Sequence, residues 1–161
     1  MIVLNKPLKL CLAASAGGHL TQLLKISVAW EGYDVFYVST LESTLNRLGS
    51  LGRYYITGEC NREHPLRVIK VLGRCIRIIH VEKPDVIITT GAAPACLLCM
   101  VGKFFGAKII WLDSIANTER LSLSGRIIRP FADLILSQWP EVARKYQKVE
   151  FIGAVLRFLL R

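Results

Sequence analysis

Apolar and polar positions along this chain fall into short runs that switch between two periods. Leu8 to Ala14 is an apolar run with one lysine, stopped by Ser15-Ala16-Gly17-Gly18, which is the pattern of a strand buried on both faces. From His19 to Trp30 apolar residues recur at Leu20, Leu23, Leu24, Ile26 and Val28, a spacing that predicts a helix. Further strands are predicted over Asp34–Thr40, Tyr54–Ile56 and, after Lys83-Pro84, Asp85–Thr89. Pro94 to Phe105 reads as a helix opened by proline, followed by strands at Lys108–Leu112 and Asp133–Ser137 and a short seventh run at Phe151–Gly153. Strands alternating with helices predict an α/β fold, a Rossmann-like doubly wound parallel sheet covered on both faces. No linker, repeat or low-complexity stretch interrupts the pattern, so residues 1–161 read as a single domain ending in an apolar tail, 154–161.

Two stretches depart from the alternation. Within Pro65–Val81, Arg67, Lys70, Arg74 and Arg77 fall at i, i+3, i+7 and i+10 and share one narrow helical face, while Val68, Val71, Leu72, Cys75, Ile76, Ile78 and Ile79 occupy much of the rest. This is either a core-packed helix with a solvated basic stripe or a helix whose stripe lies on anionic lipid headgroups. The tail Ala154-Val155-Leu156-Arg157-Phe158-Leu159-Leu160-Arg161 is mostly large and apolar. Val155, Leu156, Phe158 and Leu159 are therefore expected to dock a partner, with contact to lipid as the alternative.

Composition sharpens this picture. Residues are 52% hydrophobic and mean hydropathy is +0.40, yet no window reaches the ~18 to 20 consecutive apolar residues of a membrane span. The start, Met1 to Pro7, is too short and too early broken by proline for a secretory signal. The net charge of +9, from 21 Lys and Arg against 12 Asp and Glu, favours an anionic partner: a membrane surface, a nucleic acid or a phosphorylated substrate. Nucleic acid is the weakest of these, for want of a helix-turn-helix, RNP or zinc-finger pattern. Cys11, Cys60, Cys75, Cys96 and Cys99 lie mostly in apolar runs and read as reduced core thiols. Cys96 and Cys99 have C-x-x-C spacing but no second ligand pair, so no metal or redox site is expected.

Ligands of such sheets bind outside the carboxyl ends of the strands. Ser15-Ala16-Gly17-Gly18-His19 is the first turn there; paired glycines and helix-opening amides suit a phosphate or diphosphate. It is not the G-x-G-x-x-G fingerprint, and no dinucleotide cofactor is inferred. Thr89-Thr90-Gly91-Ala92-Ala93-Pro94 is a second turn of small residues opening a helix. The third is the polar loop from Asp113-Ser114 through Asn117 and Glu119 to Ser122, Ser124 and Gly125, whose carboxylates have no spacing that fixes them across a glycosidic bond. His64 and His80 have no comparable setting and read as surface or helix-end residues.

Asp113-Ser114, then Leu121-Ser122-Leu123-Ser124-Gly125, Ala132-Asp133 and Gln138-Trp139 stand in the order of a family signature. The chain thereby resembles the Alg14-like glycosyltransferase subunits of oligosaccharide and exopolysaccharide biosynthesis. Gly17-Gly18-His19 and the turn at Thr90, Gly91 and Ala92 match the family's pattern in the earlier part. Asp113 stands where glutamate is common, one methylene shorter, and Ala92 and Ala93 stand where versions richer in glycine or containing asparagine occur. The resemblance implies the N-terminal, acceptor-binding half of a GT-B glycosyltransferase, whose Alg13-like partner subunit supplies the nucleotide-sugar site. Together they would transfer a sugar from UDP-GlcNAc or another UDP-hexose to a polyprenyl-diphosphate-linked acceptor. His19 would act as general base, diphosphate donor or structural cap, with Ser15, Gly17, Gly18, Thr90, Gly91, Ala92, Asp113, Ser114 and Asn117 around the acceptor diphosphate. No cofactor or metal is implied. The resemblance further implies that, where eukaryotic relatives carry an N-terminal anchor, none is expected here and peripheral attachment at the cytoplasmic face, through Arg67, Lys70, Arg74 and Arg77, would replace it. A competing expectation is a non-catalytic scaffold that anchors and activates the partner.

Overall fold

Among the described residues, seven strands form one wholly parallel sheet in the order β3-β2-β1-β4-β5-β6-β7. They are β1 Lys9–Ala13, β2 Asp34–Ser39, β3 Arg53–Ile56, β4 Val86–Thr89, β5 Lys108–Leu112, β6 Leu134–Ser137 and β7 Val149–Phe151. The computed structural model describes residues 6–61 and 63–153, so the tail with Val155, Leu156, Phe158 and Leu159 lies outside the described residues. The helices are α1 Gly18–Lys25, α2 Leu45–Leu48, α3 Pro65–Glu82, α4 Ala93–Phe104, α5 Leu123–Ile128 and α6 Pro140–Lys145.

The side-chain period of two divides each strand between two cores. Cys11 and Ala13 of β1 join Ile87, Ile109, Trp111 and Ile135 against α3, α4, α5 and α6. Leu10, Leu12 and Ala14 turn the other way, against Leu20 and Leu23 of α1, Trp30 and Leu48. Register fixes the alternation: Leu10 pairs with Val86 and Cys11 with Ile87, and Ile87 in turn with Ile109. A slip of one residue would exchange the two cores. Cys11, Cys75 and Cys99 are fully buried and all five cysteines are free. Burial pushes the Cys75 thiol up to about 12 and the Cys96 thiol up to about 11, so these are packing residues, as expected.

Most elements match the sequence expectation to within a residue at each end, and the following differences have a visible cause. The helix drawn from His19 to Trp30 is two pieces, because the Ile26 amide bonds the Leu23 carbonyl at 3.3 Å and Ser27–Trp30 continues as a 3-10 turn. The seventh strand begins at Val149 and stops at Phe151, before Gly153 takes a φ of +80°. The third strand also includes Arg53, which ion-pairs with Asp34 of β2. No helix of the described residues is long and apolar enough to cross a membrane.

The Asp133 carboxylate ties the amino ends of the strands to a helix. It accepts from Lys103 Nζ at 2.7 Å, Lys108 Nζ at 3.1 Å and the Ile109 amide at 2.9 Å. Burial raises its pKa, but the bonds from Lys103, Ile109 and Lys108 outweigh that and hold the carboxyl at about 2. A depressed carboxylate stabilises the fold above its unfolded pKa of about 4, and the contribution is lost as pH falls toward about 2. Asp133→Asn should therefore lower stability by on the order of 1 kcal/mol at pH 6, after allowing for solvent screening. Thermal melts from pH 6 to pH 2 should show the difference from the native chain closing between about pH 4 and pH 2.

Candidate functional site at the switch point of the sheet

Strand order reverses between β1 and β4, and the turns that follow these two strands face each other across the resulting crevice. His19, at the start of α1, bridges them. Its Nδ1 lies 2.7 Å from the carbonyl oxygen of Thr90, and Thr90 Oγ1 donates to the His19 carbonyl at 2.8 Å. A carbonyl oxygen only accepts, so Nδ1 carries the proton, and in the neutral ring the lone pair resides on Nε2. Gly91 suits this turn chiefly through its backbone, whose φ of +113° is rarely adopted by residues with a side chain. A Cβ there would stand 3.4 Å from both His19 Cε1 and Trp111 Cζ2.

The next residue is strained. Ala92, which caps α4, has φ of +90° and ψ of 160°, a conformation that glycine adopts freely and alanine rarely. On either side of this turn lies a cavity. One, of about 290 Å³, is bordered by His19, Thr90, Gly91, Asp113, Ser114, Asn117, Ser122 and Ser124. The other, of about 330 Å³, is bordered by Ser15, Thr40, Glu59, Cys60, Asn61 and Arg67. Ala92 borders both. The expected site residues thus divide: Ser15 faces the second cavity, and His19, Thr90, Gly91, Asp113, Ser114 and Asn117 border the first. Gly17 and Gly18 are exposed beside them, and Gly17, with φ of +91°, caps α1.

Asp113 does not present a free carboxylate. It is 2% exposed and accepts four hydrogen bonds. Oδ1 takes Trp111 Nε1 at 3.1 Å and Ser122 Oγ at 2.6 Å. Oδ2 takes Asn117 Nδ2 at 3.2 Å and the Ser122 amide at 2.9 Å. The carboxylate therefore shapes the wall of the cleft, and it engages the Asn117 amide group in doing so. Ser122 Oγ also accepts from the Gly125 amide at 2.9 Å, capping α5. A Cβ at Gly125 would meet Asp113 Oδ1 and Ser122 Oγ, each at 3.0 Å. Gln138 Nε2 donates to the Asp113 carbonyl at 3.1 Å and Trp139 Nε1 to the Ile115 carbonyl at 2.7 Å. Three of the four segments in the signature thus tie one another together.

Sequence reasoning missed Thr40, Glu59, Cys60 and Asn61, and for Arg67, which it set on a basic stripe either solvated or facing lipid, it did not foresee a place beside this cavity. The available signal was a polar cluster directly after the third strand, where loops carry binding groups. The basic stripe is real, with Arg67, Lys70, Arg74 and Arg77 all exposed on α3, but its members have different surroundings. Arg74 Nη1 donates to the Thr57 carbonyl at 2.9 Å.

Removing the Asp113 carboxylate leaves buried donors without an acceptor, so Asp113→Ala should destabilise the chain by about 3 to 5 kcal/mol in chemical denaturation. Ala92→Gly should act in the opposite direction. Relief of about 1 to 3 kcal/mol of backbone strain exceeds the entropic cost of a glycine, and the denaturation midpoint should rise.

A family model described as "Oligosaccharide biosynthesis protein Alg14 like" matches residues 57–155. The UDP-N-acetylglucosamine transferase subunit ALG14 of Mus musculus is 34% identical over 94% of this chain and 85% of its own length. The Schizosaccharomyces pombe subunit is 44% identical, but over 45% of this chain and 37% of its own length. Among solved structures, Acinetobacter baumannii MurG superposes with a TM-score of 0.75 at 15% identity. The UDP-N-acetylglucosamine 2-epimerase of Rickettsia bellii superposes with a TM-score of 0.74, also at 15% identity. The matches cover 92% and 96% of this chain but only 46% and 47% of those proteins, so the chain spans about half of these GT-B structures. With its doubly wound sheet, its switch-point cleft and the tied Asp113 to Trp139 segments, the chain belongs to the Alg14-like family.

Proposed function

We propose that the chain is the acceptor-binding subunit of a two-component glycosyltransferase, working with an Alg13-like donor-binding subunit. The pair would transfer a sugar from UDP-GlcNAc or another UDP-hexose to a polyprenyl-diphosphate-linked acceptor. The observation that carries the reading is the His19–Thr90 bridge across the switch point, in a chain that spans one half of the GT-B architecture. An acceptor hydroxyl attacks C1 of the donor sugar as the bond to UDP breaks, and a base must take the hydroxyl proton. His19 suits that step, since Nδ1 is held by the Thr90 carbonyl and the lone pair on Nε2 remains available. The turns at Ser15 to Gly18 and Thr90 to Ala92 would hold the acceptor diphosphate. Asp113 would act as a positioning residue for Ser122, and Asn117, whose backbone amide bonds the Ser114 carbonyl at 3.0 Å, as one for Ser114.

Attachment to the cytoplasmic face of a membrane fits α3, where exposed Leu66, Ile69 and Ile76 run beside the basic stripe. Val155, Leu156, Phe158 and Leu159 remain our proposal for docking the donor subunit. A second reading, a scaffold that only anchors and activates its partner, makes the cleft incidental.

Transfer from labelled UDP-sugars to lipid extracts separates the two, measured for the chain alone and co-expressed with an Alg13-like protein. Activity is expected only from the pair. His19→Ala should reduce turnover by about 10² to 10⁴-fold with the complex intact. Unchanged turnover would leave the scaffold reading, and activity from the chain alone would end the half-enzyme reading.

A further inference from the structure

Strand β3 is an edge of the sheet, and α3 crosses beside it. Between them is a groove of about 520 Å³, larger than either cavity at the switch point, lined by Tyr55, Ile56, Arg74, Arg77, Ile78 and Val81. This size falls within the range of small-ligand sites, roughly 300 to 1,000 Å³. Its floor is apolar, and Val81 is 62% exposed at its rim. Two guanidinium groups border it from successive turns of α3, and among the described residues neither Arg74 nor Arg77 has a carboxylate within ion-pair distance.

The groove has the marks of a preformed site. Arg74 is fixed by its bond to the Thr57 carbonyl. Gly58, with φ of +85°, leaves the space its guanidinium fills, since a Cβ there would stand 2.9 Å from Arg74 Nη1. The acid at this end of α3, Glu82, does not neutralise the pair. It is 5% exposed and engaged by Tyr55 Oη at 2.5 Å and Lys9 Nζ at 3.2 Å, with Arg53 3.7 Å away. The same bond ties up the Tyr55 hydroxyl and leaves its ring as apolar wall.

We propose that this edge groove binds a phosphate monoester on an apolar stem, with Arg74 and Arg77 holding the phosphate and Tyr55, Ile78 and Val81 the stem. Two planar forks offer more donors than one carboxylate accepts, whereas a phosphate monoester presents three oxygens and about two negative charges. The site is separate from the switch-point cleft and stands independently of the sugar-transfer reading. It also draws Arg74 and Arg77 away from the open basic stripe.

The test uses the purified full chain with decyl phosphate below its critical micelle concentration, and with inorganic phosphate, followed by titration calorimetry. Saturable binding of decyl phosphate is expected, with inorganic phosphate at least about tenfold weaker. Arg77→Gln and Val81→Asp alter exposed positions on the helix and should each weaken decyl phosphate by about tenfold or more, while Lys70→Gln on the open face leaves it unchanged. Equal affinity for inorganic phosphate, no saturable binding, or an equal loss in Lys70→Gln would overturn the proposal. Sedimentation with phosphatidylcholine vesicles carrying phosphatidate identifies the source. Loss of vesicle binding in Arg77→Gln assigns a bilayer lipid, and loss with decyl phosphate alone assigns a soluble ester; either upholds the site.

Discussion

The Asp113 carboxylate is the constraint on which the cleft depends. A buried carboxylate is tolerated only when its oxygens are satisfied, and here four donors converge on it from the end of β5, the loop that follows and the cap of α5. The four donors come from three residues, each on a different piece of backbone. Ser122 stands at the end of the loop and opens α5, Asn117 holds its middle, and Trp111 locks the last turn of the strand beneath it. Gly125 is needed because the carboxylate and the Ser122 hydroxyl occupy the volume a side chain would take. Gln138 extends the tie to the exit of β6. The loop is thereby held as a rigid wall, and Ser114, Ser122 and Ser124 are set along the cavity it encloses.

The opposite wall is held by a different device. His19 and Thr90 exchange side chain to backbone bonds in both directions, so the turns after β1 and β4 cannot separate without breaking two hydrogen bonds together. The strained Ala92 backbone lies beside that bridge and divides the crevice in two. Strain at a position bordering both cavities is the kind retained where geometry serves a site. With both walls fixed before any ligand arrives, binding would have less ordering to offset.

Charge follows the same logic on α3. Helical periodicity puts four cations on one face, but their neighbours differ. Arg67 borders the switch-point cavity, Arg74 and Arg77 border the edge groove, and Lys70 borders neither. Exposed Leu66, Ile69 and Ile76 alongside them make this a helix with apolar residues on both its buried and its open side.

By itself the sequence determined the sheet, its parallel class and the turns at its carboxyl ends, because apolar period, glycine and proline are local signals that act within a few residues. It also carried the family signature and marked Cys11, Cys75, Cys96 and Cys99 as core thiols. Boundaries blurred where local signals conflicted, as in Ile26, whose apolar spacing continued a helix that its backbone bonds ended. What only the tertiary structure decided is how distant polar groups use one another. Asp113 reads as an acceptor-site residue in the chain, and only the fold shows its carboxylate buried and accepting from Ser122, nine residues away. The His19–Thr90 bridge spans 71 positions. The cavity of Thr40, Glu59 and Asn61 exists because β1 lies beside both β2 and β4. Hydrogen bonding and burial are set by distance in space, and one-dimensional spacing records that distance only within a helix or a strand.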